Sequence, residues 1–546
     1  MISKYLRRMA AIALASNLAL VMPSGLLAGQ TKNAAETVET TTPIKHVIVI
    51  FQENISFDHY FATYPYATNP EGEPAFHAKD DTPRVNNLLS GGLLTENPNS
   101  TQPFRMDTGV QSVTCDQNHS YTPEQQAIDH GLMDKYPEST GTGSTSSSPC
   151  NDYGKGVGVV MGYFDGNTVT AFWNYAQHFA MSDNSYGTMF GPSAVGALNL
   201  IAGTTATATL FPTKPNGKPA SASGNIANGL TTGPAIGDPR PAGDECVLTN
   251  PGLQTTNMIS VSGKNVGDLL NAKGLTWGWF QGGFGPTGFD SMGRAICAAH
   301  HAGLAGDDAV ETVGDYIPHH EPFQYYTSTQ NLHHNPPKDP SLIGTSSDGA
   351  NHQYDLSAFW TVLGEDRLPS VTYLKASAYQ DGHPGYSDPI DEQVFVVGVV
   401  NAIANSPYWK DTAIVIAYDD SDGWYDHVLG PVVNQSAVAD DALAGSADCG
   451  TATAVGTQGR CGYGPRLPLL VISPYAKQNY VDHKTTDQSS ILRFIEDNWN
   501  LGRIGGYSTD EKAGTLNGLF DFDDGPAAHK LILDPATGVV LPHQPE

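Results

Sequence analysis

Two pairs of oxygen-bearing side chains stand out because each follows directly on an apolar run. Glu53 and Asn54 come after Val47, Ile48, Val49, Ile50 and Phe51, and Asp419 and Asp420 come after Ile414, Val415, Ile416 and Ala417. Short runs of this kind predict strands covered on both faces of a parallel sheet. Ligands of open α/β sheets bind at the carboxyl ends of such strands. Carboxylates and a carboxamide are hard donors, so two strands ending this way suit one divalent cation such as magnesium, manganese or calcium, with zinc less favoured by ligand type. An EF-hand does not account for Asp419 and Asp420, because Gly423 follows Asp420 too closely to be the glycine that the calcium loop requires.

A nucleophile and four histidines are spread between the two pairs. Ser193 follows Gly191 and Pro192 at a helix start, and the helix predicted over 194–201 stops at Gly203. The positive end of a helix can hold a phosphoryl group, although an ordinary capping serine uses the same geometry. His119 stands just ahead of a helix entered through Thr122, Pro123 and Glu124; His319 and His320 are adjacent in a proline-bounded loop, and His383 lies in a Pro- and Gly-rich loop. A serine-esterase elbow needs G-x-S-x-G, and Val195 stands where its last glycine belongs. Ser193 together with four histidines also argues against a protein that only binds a cation.

These residues must be positioned by a sheet with helices around it. Further strands are predicted within 274–283, 369–374 and 466–476, and helices over 392–405 and from Ser489. The aromatic series in 170–180 has helical spacing and is expected to face the core. Residues 204–240 hold few large apolar side chains and are expected to form a surface insertion, as is the loop 433–464.

The net charge of −28 disfavours nucleic acid and anionic membranes as partners. It also means that an anionic substrate must meet a locally positive site. Lys4, Arg7 and Arg8 precede an apolar run over 9–21 and the small residues around Ala28, which reads as a signal peptide over 1–29, exported by the general route or through the adjacent arginines by the twin-arginine route. A flexible lead-in follows over 30–43, and no stable membrane anchor is expected, so the mature chain is expected to be secreted or periplasmic. Six cysteines in an exported chain read as disulfides. Sequence neighbours are expected to pair: Cys115 with Cys150, Cys246 with Cys297, and Cys449 with Cys461. The last closure would stabilise by about 3 kcal/mol in the chain-entropy account.

The stretches FQENISFDHYF, CDQNHSY, FGPS before a short helix, PHHEPF, AYQDGHPGYSD, AYDDSDGWYDH and DQSSILRFIEDNW, in that order, resemble the bacterial phosphoesterase family that contains acid phosphatases and secreted phospholipases C. The resemblance implies an α/β fold with a central, mostly parallel sheet flanked by helices, alkaline-phosphatase-like, as a single domain over 44–546 with insertions near 204–255 and 433–464. It implies Glu53, Asn54, Ser193, Asp419 and Asp420 as ligands of one divalent metal ion. Ser193 would be the nucleophile of a phosphoserine mechanism, and His119, His319, His320 and His383 would line the phosphate pocket. His383, with His320 as the alternative, would protonate the leaving alcohol. Expected partners are phosphate esters, with phospholipid head groups as the alternative, and no protein partner is evident. An acid-phosphatase-like activity is favoured over a phospholipase C, because family members specialised for choline lipids often carry C-terminal modules for which this sequence has no room.

Overall fold

The computed structural model describes residues 38–108, 114–143, 153–301, 312–443, 449–526 and 530–542. The expected signal peptide, the lead-in before residue 38 and Cys150 lie outside the described residues.

An eight-stranded sheet organises the chain. Its strands are β1 (His46–Gln52), β2 (Ala180–Ser182), β3 (Trp277–Gln281), β4 (Gln353–Asp355), β5 (Val371–Lys375), β6 (Thr412–Tyr418), β7 (Leu469–Ile472) and β8 (Tyr480–Asp482). They lie in the order β4-β3-β5-β1-β6-β7-β2-β8. Each neighbouring pair is parallel except the two that β7 makes, with β6 and with β2. The sheet is therefore parallel through its centre and mixed beyond β6. All residues of β1, β5 and β6 are buried, as their apolar runs require.

The register fixes the edge at which function collects. Ile50 pairs with Leu374 on one side and Ile416 on the other, and Gln52 pairs with Tyr418. Because β5, β1 and β6 run the same way, the residues after Lys375, Gln52 and Tyr418 emerge together at one edge of the sheet.

Helices follow from local signals. α1 (Phe57–Phe61) is capped by Ser56, whose side chain accepts from the His59 N–H. α2 (Tyr121–Ile128) starts one residue before Thr122, and α3 (Thr170–His178), which packs beside β2 and β7, buries Phe172 against Tyr60 and Trp173 against Tyr64 and Phe76. α4 (Ser193–Ala202) ends at Gly203, whose φ of 62° is the left-handed stop expected of glycine. α5 (Pro389–Ala404) has proline at its first position and Asp388 accepting from the Ile390 and Asp391 N–H groups. α6 (Gln488–Trp499) has a reciprocal cap between Asp487 and Ser490 and packs against α4.

Residues 204–255 are more structured than their composition suggests. Ala208–Leu210, Thr232–Gly233, Arg240–Pro241 and Met258–Val261 form a second, four-stranded sheet. Backbone pairing here needs few large side chains, so the apolar pattern used to find strands is absent. The disulfides Cys246–Cys297 and Cys449–Cys461 join the expected neighbours, and Cys115 is also disulfide-bonded.

One buried ion cluster locks the loop after β6 to the rest. Arg466 is fully buried, bonds Asp426 through Nε and Nη2 at 3.0–3.2 Å, and lies 3.3 Å from Asp58. Its Nη1 donates to the Asn86 and Asp183 carbonyls. The Arg466→Met variant would leave buried Asp426 without its paired counter-charge and Asp58 with His427 alone, and is expected to lose about 3–5 kcal/mol of stability. Urea unfolding checks this, and a midpoint unchanged from wild type would contradict it.

Candidate active site

The edge above β5, β1 and β6 gathers the sequence-predicted donors. Asn54 has φ 60°, a left-handed conformation that asparagine tolerates better than most residues. It is held there by its own N–H donating to Asp419 Oδ1 at 2.9 Å and by Nδ2 donating to Asp422 Oδ1 at 3.2 Å. Asp419 Oδ1 also accepts from the Asp420 N–H at 2.8 Å. One carboxylate thus ties the two strand ends together.

Ser193 reaches this cluster from α4. It is the first helical residue, after Pro192, and its Oγ donates to Asp420 Oδ2 at 3.1 Å with Asn54 Oδ1 at 3.5 Å. The cap comes from elsewhere: Asp238 Oδ1 accepts from the Ala194 N–H at 2.9 Å. Close packing sets the reach. A Cβ on Gly196 would lie 2.1 Å from the Asp419 carbonyl oxygen, so only glycine lets α4 sit this near the strand end. Buried Glu124 accepts from the Gly191 N–H and the Ser421 hydroxyl, joining the turn before Ser193 to the loop after Asp420.

Glu53 faces the other side of the cluster. It is ion-paired with buried Lys375. His320 Nε2 lies 3.2 Å from Glu53 Oε2, out of line for a hydrogen bond, and its Nδ1 is 3.8 Å from Asp381 Oδ2. Donor atoms of Glu53, His320 and Asp381 come within 4.8 Å of one another.

A cleft of about 630 Å³ opens onto Ser193 and is lined by His119, His319, His383, Tyr386, Asp238 and Arg240 among others. His320 points behind this lining, towards Glu53 and Asp381. His119 Nδ1 lies 2.9 Å from the Gln117 carbonyl oxygen and 3.2 Å from Asp422 Oδ1. His383 Nδ1 lies 2.6 Å from the Pro384 carbonyl oxygen, which leaves Nε2 for the cleft.

The electrostatics are dominated by crowded, buried carboxyls. Burial and then the Asp419 charge hold Glu53 and Asp420 well above the usual carboxylate range, and burial does the same for Asp381 against the pull of Lys375. Burial also raises Asp422 to about 8, Glu392 to about 8 and Glu124 to about 7. The histidines divide. Burial disfavours charge on His119, but Asp420 and Asp422 outweigh it and raise its pKa; His383 and His320 are lowered by burial.

The donor set fits a hard cation. Asp419 Oδ2, Glu53 Oε2 and Asp381 Oδ2 are buried without a hydrogen-bond partner, an arrangement whose desolvation cost a cation would offset.

Several site residues escaped the sequence reading. Lys375 ends a strand beside β1, and Asp381 and Asp422 lie in the same loops as His383 and Asp420, so strand-end position was a usable signal. Asp238 and Arg240 come from the glycine- and proline-rich insertion and carried none.

Residues 44–502 match the Phosphoesterase family. Among curated relatives, the chain is 24% identical to the non-hemolytic phospholipase C of Pseudomonas aeruginosa, over 88% of this chain and 57% of the relative. It is 26% identical to that of Burkholderia pseudomallei, over 84% and 56%. Phospholipase C A of Mycobacterium tuberculosis is 23% identical over 83% and 72%. The chain thus spans a little over half the length of the first two. A solved structure of an alkaline phosphatase superfamily protein from Vibrio parahaemolyticus aligns over 71% of this chain and 79% of its own, with 11% identity and a TM-score of 0.28. Murine ectonucleotide pyrophosphatase/phosphodiesterase 5 aligns over 65% and 95%, with 10% identity and a TM-score of 0.29.

Raised carboxyl pKa values make a signed prediction. Without a divalent cation, the stability these groups contribute is present below the unfolded carboxylate range near pH 4 and is lost as pH rises through about 7 for Glu124 and about 8 for Asp422 and Glu392. In chelator the melting temperature should fall across that window, and saturating magnesium or manganese should reduce the fall. A flat or rising melting temperature in chelator would contradict it.

Proposed function

The chain belongs to the Phosphoesterase family, and we propose that it hydrolyses phosphate esters through a phosphorylated Ser193. The observation that carries this reading is the Ser193 hydroxyl, which leaves the capping of its helix to Asp238 and donates to Asp420 Oδ2 instead. A serine used only as a cap would bond its own helix.

In the proposed sequence, Ser193 Oγ forms a bond to phosphorus as the bond from phosphorus to the leaving oxygen breaks. The Oγ proton passes to Asp420, 3.1 Å away. His119, which its acidic neighbours favour in the protonated form, neutralises phosphoryl oxygens, and His319 lines the same cleft. The negative charge of a bound ester favours protonated His383, and burial makes that imidazolium a ready donor to the leaving oxygen. Water then attacks the phosphoserine, giving one proton to His383 and keeping the other on the new phosphate oxygen, while the bond from phosphorus to Oγ breaks and Asp420 returns to Oγ the proton it took in the first half-reaction. Glu53, Asn54, Ser193, Asp419 and Asp420 are the proposed ligands of one divalent cation of the magnesium, manganese or calcium type. When bound, it supplies Lewis-acid stabilisation of the charge on the attacking and phosphoryl oxygens.

A monoesterase of acid-phosphatase type is one form of this reading. Cleavage of a phospholipid head group is the other, favoured by relatives that are phospholipases C. Export is part of the proposal, supported by the basic and apolar N-terminal sequence and by the disulfides. No helix among the described residues is long and apolar enough to cross a membrane.

Hydrolysis of a chromogenic phosphomonoester and of phosphatidylcholine, each with and without chelator, tests the reading. Turnover of at least one should be abolished by chelator and restored by metal. Ser193→Ala should lower it by about a thousandfold or more while its far-UV spectrum stays unchanged. Wild-type rates in that variant, or no turnover of either ester with metal present, would overturn the proposal.

A further inference from the structure

The mechanism above leaves one strong cation of the cleft unused. Arg240 begins the short strand Arg240–Pro241 of the second sheet and lines the same cleft as Ser193 and His383. It is the one arginine or lysine among the described cleft-lining residues. Its Nε and Nη1 are buried and have no hydrogen-bond partner. A guanidinium stays charged and presents a planar fork of donors, so leaving two of its nitrogens desolvated and unpaired is unfavourable unless an acceptor arrives.

The groups around Arg240 do not supply that acceptor. Asp238 attracts it, but Asp238 Oδ1 is taken by the Ala194 N–H, where it caps the helix of the nucleophile. The other groups that act on it are the tyrosines Tyr325, Tyr386 and Tyr316. Tyr325 gives its hydroxyl hydrogen to the Pro239 carbonyl, and Tyr316 gives its own to Asp244. In a chain with net charge −28, a guanidinium with two unpartnered nitrogens in the nucleophile's cleft also gives that cleft a local attraction for anions.

We propose that Arg240 is a substrate-binding residue whose guanidinium engages two non-bridging oxygens of the ester phosphate and so selects phosphomonoesters over diesters. The proposal deepens the hydrolase reading and rests on it. A monoester is a dianion near neutral pH with three non-bridging oxygens, so two can meet the fork while one remains for the cation and histidine side of the cleft. A diester carries one charge and two such oxygens, and a choline head group adds a positive charge that Arg240 repels. The second sheet thereby acts as the specificity wall of a site whose reacting groups belong to the first.

Wild type, Arg240→Gln and Arg240→Lys are compared, with metal present, on p-nitrophenyl phosphate, on bis-p-nitrophenyl phosphate and in calorimetric binding of inorganic phosphate. Arg240→Gln should lower kcat/KM for the monoester by about 10- to 100-fold and weaken phosphate binding similarly, while the diester rate changes by less than about threefold. Arg240→Lys should fall between, because it keeps the charge and loses the fork. Equal losses on both esters, or phosphate affinity unchanged in Arg240→Gln, would overturn the assignment. If Arg240→Gln does not fold, Arg240→Lys decides by the same split. Should wild type hydrolyse neither these esters nor phosphatidylcholine, the hydrolase reading fails, and phosphate calorimetry still decides whether Arg240 binds the anion.

Discussion

Burial of many carboxyls at one edge of one sheet is the constraint on which this structure depends. Glu53, Asp381, Asp419, Asp420 and Asp422 are all nearly inaccessible to water, with Glu124 and Glu392 buried close by. Lys375 and His119 answer only part of that charge, and burial together with mutual repulsion raises most of these acids far from their ordinary range. Proteins do not keep such a set unless something compensates it. In the proposed reading, a divalent cation is the compensating charge that also serves the reaction.

The sheet supplies the crowding without a dedicated binding loop. Parallel strands β5, β1 and β6 end side by side, so Lys375 at the end of β5 and the residues just after β1 and β6 are brought within bonding distance from chain positions more than three hundred residues apart. Asn54 in its left-handed conformation and Asp422 at φ 54° are places where the backbone accepts a sparsely populated geometry, and both are held by bonds from the opposite strand end. α4 completes the site by close approach, since Gly196 lies against the Asp419 carbonyl and Asp238 relieves Ser193 of its cap.

What the sequence revealed follows from the same physics. The strands of the central sheet were legible because burial on both faces forces unbroken apolar runs, and Glu53, Asn54, Asp419 and Asp420 because polarity changes sharply where those runs end. Ser193 was legible as a helix start, but only the structure shows its hydroxyl turned away from the helix. Lys375 is the last residue of its strand, so its strand-end position was legible even though it was not singled out. His320 and His319 are adjacent in sequence, and only the short turn at Pro318–His320 separates them into a residue facing Glu53 and a residue facing the cleft. The second sheet was invisible because its short strands sit in glycine- and proline-rich sequence, and with it went Asp238 and Arg240. The disulfides Cys246–Cys297 and Cys449–Cys461 agree with neighbour pairing, which the sequence suggested as one of fifteen connectivities without fixing it.

The central claim is that Ser193 carries the phosphoryl group between two half-reactions. Its most direct test is to mix metal-loaded enzyme with excess phosphomonoester, quench separate samples within the first turnover in acid and in base, and map the phosphorylated peptide by mass spectrometry. The account predicts a transient phosphoryl group on Ser193 that forms before steady state and is absent from Ser193→Ala. Product release with no phosphorylated Ser193 at any time, or a phosphoryl group found only on a histidine, would contradict it.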